Sequence, residues 1–198
     1  MSLFDRLFGS GKNPPPPDIP FGRYTDAYKT DAQQEAFDRS LELFDQGQHL
    51  DAYQHFMRYL KDDAVDSVHW REEAGNLHFE FWQGSQRVTG FANSEKVKAE
   101  SKIARAEDLN VGFLRRLMEA NFNLKFSRFA LDPDNTLTIL FDTHTTDGSP
   151  LKLLYALREL AIHADKQDDL LLDEFKVLRP AQERVFGDIP EAEKEAKY

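Results

Sequence analysis

At 198 residues the chain is long enough for one domain with a substantial core, and folding at that size buries about 70% of the unfolded surface. Sixteen Phe and two Trp against 30% charged residues describe a globular protein, and the absence of Cys excludes disulfides, thiolate metal sites and a cysteine nucleophile. A formal net charge of -10 argues against general affinity for nucleic acid or anionic lipid, which the long-range field repels.

The lack of Cys suits a reducing compartment, so the cytoplasm is the expected location. No stretch approaches the roughly 20 apolar residues of a spanning helix, and the N-terminus lacks a continuous apolar h-region. Neither a transmembrane segment nor a signal peptide is expected.

In residues 1–28, Leu3, Phe4, Leu7 and Phe8 fall on one side of a helix too short to stand alone. The segment reads first as docking on its own domain and second as weak contact with a membrane surface or partner. Pro14, Pro15, Pro16 and Pro17 then make a stiff linker.

Residues 29–65 carry two helical patterns that meet at Gln46, Gly47 and Gln48. Ala36, Phe37, Leu41 and Phe44 mark the first, and Leu50, Tyr53, Phe56, Met57 and Leu60 the second. So short a connection makes them an antiparallel hairpin with facing apolar sides. Ser40, Gly47, Ala52 and Phe56 resemble a single tetratricopeptide repeat, but there is no second copy and no closing proline. A lone repeat has no stacked neighbour and makes no concave array, so the hairpin reads as a packing element before a docking site.

Residues 66–178 read as an α+β domain. Leu77, Phe79 and Phe81 alternate with His78, Glu80 and Trp82, and after a turn Val88, Gly90 and Ala92 set small residues opposite the aromatics. A third strand puts Val97, Ala99, Ser101 and Ile103 on one face and Lys96, Lys98, Glu100 and Lys102 on a wet one. A helix capped by Asp108 or Asn110 follows, with Val111, Leu114, Leu117 and Met118 as its expected buried stripe.

Two further strands come next. Leu124, Phe126, Phe129 and Leu131 alternate with a change of phase, which predicts a bulge near Ser127 and Arg128. Asp132, Pro133, Asp134 and Asn135 supply turn chemistry, and Leu137, Ile139 and Phe141 continue the pattern. Ser149 as N-cap and Pro150 at the first position open a helix with Leu153, Leu154, Leu157, Leu160, Ala161 and Ala164 on one side. It either continues to Phe175 or breaks near Asp168. Residues 179–198 read as a charged tail.

The predicted fold class is therefore α+β: a mostly antiparallel five-stranded sheet in the order β-β-β-α-β-β-α, helices on one face, preceded by the helical hairpin. That order, together with the run Leu117, Met118, Glu119, Ala120, Asn121, Phe122 into Leu124, Lys125, Phe126 and Phe129, Ala130, Leu131, Asp132, resembles the YbjN family and the related type III secretion chaperone-like fold. The resemblance covers roughly residues 70–175 and extends through Ser149 and Pro150 to a leucine-rich helix ending His163, Ala164, Asp165. It implies a small module, often dimeric, that binds or regulates other proteins and has no established active site. A partner protein or a second copy is the expected partner, and no cofactor is implied.

Catalytic motifs are missing: the sequence has no GxSxG, GxxxxGK[ST] or GxGxxG, and its six His show neither HxH nor HExxH spacing. The expectation is a non-enzymatic protein. The alternative is a small hydrolase or metal-dependent enzyme using Asp142, His144 and Asp147 near a strand end. His163 with Asp165, Asp168 and Asp169 reads as a solvated helix surface.

Charge is segregated. From Arg87 to Arg128 nine Lys or Arg face five acids, which leaves +4 there and -14 elsewhere. Lys96, Lys98 and Lys102 beside Trp82 and Phe91 are the candidate interaction surface, for an acidic protein or self-association, or for single-stranded nucleic acid through charge and stacking. The plain alternative is an edge strand guarded against aggregation by lysines.

Overall fold

A computed structural model describes residues 29–61, 68–84 and 86–181, all within one unit spanning residues 22–185. The Leu3 to Phe8 segment, the proline linker and nearly all of the charged tail lie outside the described residues.

Thr30 opens helix α1 (Asp31–Asp45) with a capping box: its hydroxyl accepts the Gln33 N–H, and Gln33 Oε1 accepts the Thr30 N–H. The same Gln33 amide donates to the carbonyls of Tyr59 and Lys61, tying the start of α1 to the end of α2 (His49–Leu60). Gly47 makes the turn between them at φ 77°, a conformation only glycine adopts without strain. The expected hairpin is present, with Ser40, Ala52 and Phe56 buried.

Among the described residues the sheet has seven strands, two more than the sequence predicts. They are β1 (Val68–Glu73), β2 (Asn76–Gln83), β3 (Gln86–Ala92), β4 (Lys96–Ala106), β5 (Arg128–Leu131), β6 (Thr136–His144) and β7 (Leu178–Pro180). The order is β1-β2-β3-β4-β6-β5, every pairing is antiparallel, and β7 pairs with the end of β4. β7 takes in Arg179 and Pro180, the first residues of the expected tail. β4 lies between β3 and β6, so its lysines do not guard an edge.

The β2–β3 register sets Leu77 against Ala92, Phe79 against Gly90 and Phe81 against Val88, the small-against-aromatic pairing read from the sequence. A Cβ at Gly90 would stand 2.2 Å from Phe79 Cζ, so the ring occupies the space a side chain would need. Helices cover this face. Helix α4 (Pro150–Glu174) lies across it with Leu153, Leu157, Leu160 and Ala164 buried over Val97, Ala99, Ile139 and Phe141.

Ser149 caps α4 by accepting the Lys152 N–H, and Pro150 is at its first turn, as expected. The helix runs to Glu174 without a break. Its unbroken pitch turns Asp165 and Asp168 inward, so the reading of both as solvated surface is wrong: they are 6% and 3% exposed. Gln86 Nε2 donates to Asp168 Oδ2 at 2.6 Å, and Ser101 Oγ donates to Gln86 Oε1 at 3.2 Å. A polar chain thus joins α4 to β3 and β4 inside the fold.

Two local expectations also give way. Residues 124–126 are not strand, because the helix before them runs to Asn123 and β5 begins only at Arg128. The change of phase marks a chain crossing, and the register shift of the sheet falls instead on β4 between Lys102 and Ala104. The Asp132 to Asn135 turn holds as expected: Asp132 Oδ1 accepts the N–H groups of Asp134 and Thr136, and Asn135 sits at φ 60°.

Candidate interaction surfaces

Helix α3 (Val111–Asn123) starts where Asn110 Oδ1 accepts the Phe113 N–H at 2.9 Å. It carries apolar residues on two sides. Phe113 and Leu117 face inward, Phe113 meeting Phe175 edge-on at 5.4 Å between ring centres. Val111, Leu114 and Met118 face solvent, which corrects their assignment as the buried stripe: Val111 is 81% exposed and Met118 72%. Phe122, one turn further on, is 91% exposed. Helical spacing shows that a stripe exists but not which of two apolar stripes turns inward.

The C-terminal end of α3 is held at two places. Asn121 brackets Phe129 of β5, its Nδ2 donating to the Phe129 carbonyl at 3.1 Å and its Oδ1 accepting the Phe129 N–H at 2.6 Å. Glu159 of α4 then gathers the crossing chain. Its carboxylate accepts the N–H groups of Lys125, Phe126 and Ser127 at 2.9, 2.9 and 2.8 Å and the Ser127 hydroxyl at 2.7 Å. Burial pushes this carboxyl up, but the bonds from Ser127, Lys125 and Phe126 outweigh it and hold the group below the usual carboxylate value. Sequence reasoning missed Glu159, which lies more than thirty residues from its donors.

Among the described residues, every exposed large hydrophobic side chain lies on this layer. On α3 and its flanks they are Leu109, Val111, Leu114, Met118, Phe122 and Phe126, and on α4 they are Leu151, Tyr155 and Ile162. None lies on the open sheet face or on the hairpin. A run of exposed apolar side chains on a well-braced helix is a candidate contact surface.

The open sheet face holds the five residues singled out by charge. Trp82 and Phe91 are half-buried there, the Arg87 guanidinium 6.0 Å from the Trp82 ring and Lys96 Nζ 5.5 Å from the Phe91 ring. Lys98 is paired with Glu100 at 2.5 Å, and Lys102 is exposed on the same side. Nearby Arg87 pairs with Glu80 and Arg128 with Asp142, the latter at 2.7 Å. Above β1 to β3 the surface dips into an open depression of about 480 Å³ lined by His69, Arg71, His78, Glu80, Arg87 and Thr89. All five candidates share one solvent-facing side, on which acids answer much of the positive charge.

The residues of the enzymatic alternative are not assembled. Asp142 is engaged by Arg128, while His144 and Asp147 are exposed on either side of the buried Thr145. No carboxylate–imidazole contact joins them among the described residues. The described residues also hold no group of three or more His, Asp or Glu arranged to bind a metal ion, and no helix long and apolar enough to cross a membrane.

Solved structures similar to this chain include two from type III secretion complexes. One is from the heterodimeric complex ExoU-SpcU of the type III secretion system of Pseudomonas aeruginosa, with TM-score 0.33 and 11% identity over 55% of this chain and 86% of that one. The other is the Yersinia pestis type III secretion chaperone SycH in complex with a stable fragment of YscM2, with TM-score 0.39 and 16% identity over 66% of this chain and 98% of that one. No family model matches the chain, and no curated protein matches it.

Proposed function

We propose that this protein is a non-enzymatic, chaperone-like protein-binding module that acts as a pair, two copies meeting through the outward stripe of α3. The observation that carries this reading is the stripe itself, Val111, Leu114, Met118 and Phe122, exposed along the length of a capped and anchored helix.

The stripe is self-complementary. When two such helices cross antiparallel about a two-fold axis, Val111 of one copy stands near Phe122 of the other, and Leu114 near Met118. Small meets large at both ends. Arg115 and Glu119, which pair within the helix at 3.1 Å, flank the stripe and exchange partners across the axis, so the contact is balanced in charge. A rigid apolar surface of this kind is also what a chaperone-like module needs to hold an apolar segment of another protein.

Light scattering at micromolar concentration tests the pairing. The intact chain is expected at twice its monomer mass, and Met118→Glu or Phe122→Glu at monomer mass with an unchanged far-ultraviolet circular dichroism spectrum and a melting temperature lowered by the lost association. A strict monomer for the intact chain overturns the reading.

A second reading rests on the shared placement of Trp82, Phe91, Lys96, Lys98 and Lys102, which would suit an acidic protein surface. Changing the three lysines to Glu should abolish salt-sensitive capture of such a partner while leaving the pairing untouched.

A further inference from the structure

We infer that the outward face of α4 is a separate docking surface whose occupant is an acidic amphipathic segment of a partner protein. The inference rests on the reading of this protein as a protein-binding module but not on its pairing through α3.

Leu151, Tyr155 and Ile162 stand on the side of α4 opposite the buried Leu153, Leu157 and Leu160. The backbone of Phe126, itself exposed, is held beside this face, its N–H 2.9 Å from Glu159 Oε1, one helical turn from both Tyr155 and Ile162. From Leu151 to Ile162 the patch is about 16 Å long, which matches three turns of a partner helix.

Its charge is one-sided. Along this length α4 carries Lys152 and Arg158 against the single acid Glu159, and both Glu159 oxygens already accept N–H bonds from the crossing chain. Lys152 Nζ reaches Thr143 Oγ1 at 2.9 Å, while Arg158 is exposed and close enough to influence Tyr59 of the hairpin. A cationic, apolar face on a chain of net charge -10 is a local inversion that an acidic ligand would exploit. Apolar side chains of the ligand would lie along Tyr155 and Ile162, and a carboxylate beside them would meet the Arg158 fork.

Other occupants fit less well. A second copy laid antiparallel on this patch would bring the two Arg158 guanidinium groups within a helical turn of each other, unlike the charge-balanced α3 stripe. An anionic lipid surface would meet Asp169 and Asp173 further along the helix as well as the overall negative charge.

The test uses the full chain and two fluorescein-labelled amphipathic peptides that share a Leu-rich face, one flanked by Glu and the other by Lys, read by fluorescence anisotropy. The Glu peptide should bind at least about tenfold more tightly than its Lys twin. Arg158→Glu should reverse that preference and Ile162→Glu should abolish binding, both with unchanged melting temperatures. Met118→Glu, on α3, should leave peptide binding intact. Equal binding of the two peptides, no binding of either, or retention of the preference in Arg158→Glu overturns the inference. So does a change in oligomeric mass with Ile162→Glu, which would make a second copy the occupant, or binding of the protein to phosphatidylglycerol vesicles that Arg158→Glu removes. A monomeric intact chain that still selects the Glu peptide would remove the pairing through α3 and leave this surface standing.

Discussion

Ser127 gives both its backbone N–H and its hydroxyl to one oxygen of Glu159, at 2.8 and 2.7 Å. The carboxyl titrates below its ordinary value of 4.5, because four bonds favour its charged form against the burial that opposes it. Its stabilising effect is therefore complete above that value and is lost as pH falls through the folded-state value. Glu159→Gln should cost on the order of 1 to 3 kcal/mol near neutral pH, as lost bonds to a charged acceptor do. The gap from the intact protein should close in acid, and denaturant midpoints across pH would measure it. A gap independent of pH would mean that the charge contributes nothing.

The Phe79 ring over Gly90 leads to a different kind of cost. Gly90→Ala puts a methyl group 2.2 Å from Phe79 Cζ and 2.6 Å from the Lys98 carbonyl, so the sheet must shift. A loss of about 1 to 3 kcal/mol is expected, as for overpacked cores. Adding Phe79→Leu should recover part of it, since the ring can be shortened but the Lys98 backbone cannot. Simple addition of the two single-variant losses would show that the ring is not the obstacle.

These two sites also show how far the sequence reaches. Phe79 opposite Gly90 was legible, because alternation and a short turn fix a hairpin's register locally. So were the cap at Ser149 and the Asp132 turn, each written in adjacent residues, while the cap of α3 was narrowed only to Asp108 or Asn110. Glu159 was not, because nothing near it in the sequence says that its partners are three amides of a crossing chain. The α3 stripe was found and turned the wrong way: Phe113 and Leu117 make a second apolar side, and only the packing of Phe113 on Phe175 decides between them. β1 was missed because Val68 and Trp70 are its only large apolar residues, and β7 because three residues carry no period. Asp165 and Asp168 were misplaced for a related reason, since acids in a helix read as surface unless their buried partners, such as Gln86, are known.

Position relative to the core separates three further substitutions. Leu157 is fully buried on the inner side of α4, and Leu157→Ala should cost about 2 to 5 kcal/mol. Phe126 reads as a core residue in the sequence but is 37% exposed beside the Glu159 clasp, so Phe126→Ala should cost under about 1 kcal/mol. Lys98→Ala removes one partner of a surface ion pair and should stay within about 0.5 kcal/mol. Equal denaturation midpoints for all three would show that the layer is packed differently.

A buried tyrosine joins the hairpin to the sheet. Tyr53 of α2 is fully buried and donates its hydroxyl to the Thr145 carbonyl at 3.0 Å. Thr145 is itself fixed, its hydroxyl on the Asn93 carbonyl at 2.7 Å and its N–H on that of Glu95 at 3.0 Å. Tyr53→Phe should cost only about 0.5 to 1.5 kcal/mol at neutral pH, because the Thr145 carbonyl keeps the Gly148 N–H as a donor. Burial pushes the Tyr53 phenol well above its ordinary value of 10.0, so the folded state holds this proton more tightly than the unfolded chain does. That stabilisation is complete below the ordinary value and is lost as pH rises above it. The intact protein should therefore lose its advantage over Tyr53→Phe in alkali and then fall below it. Melting temperatures of the two proteins that stay parallel through the alkaline range would show that the phenol is open to water.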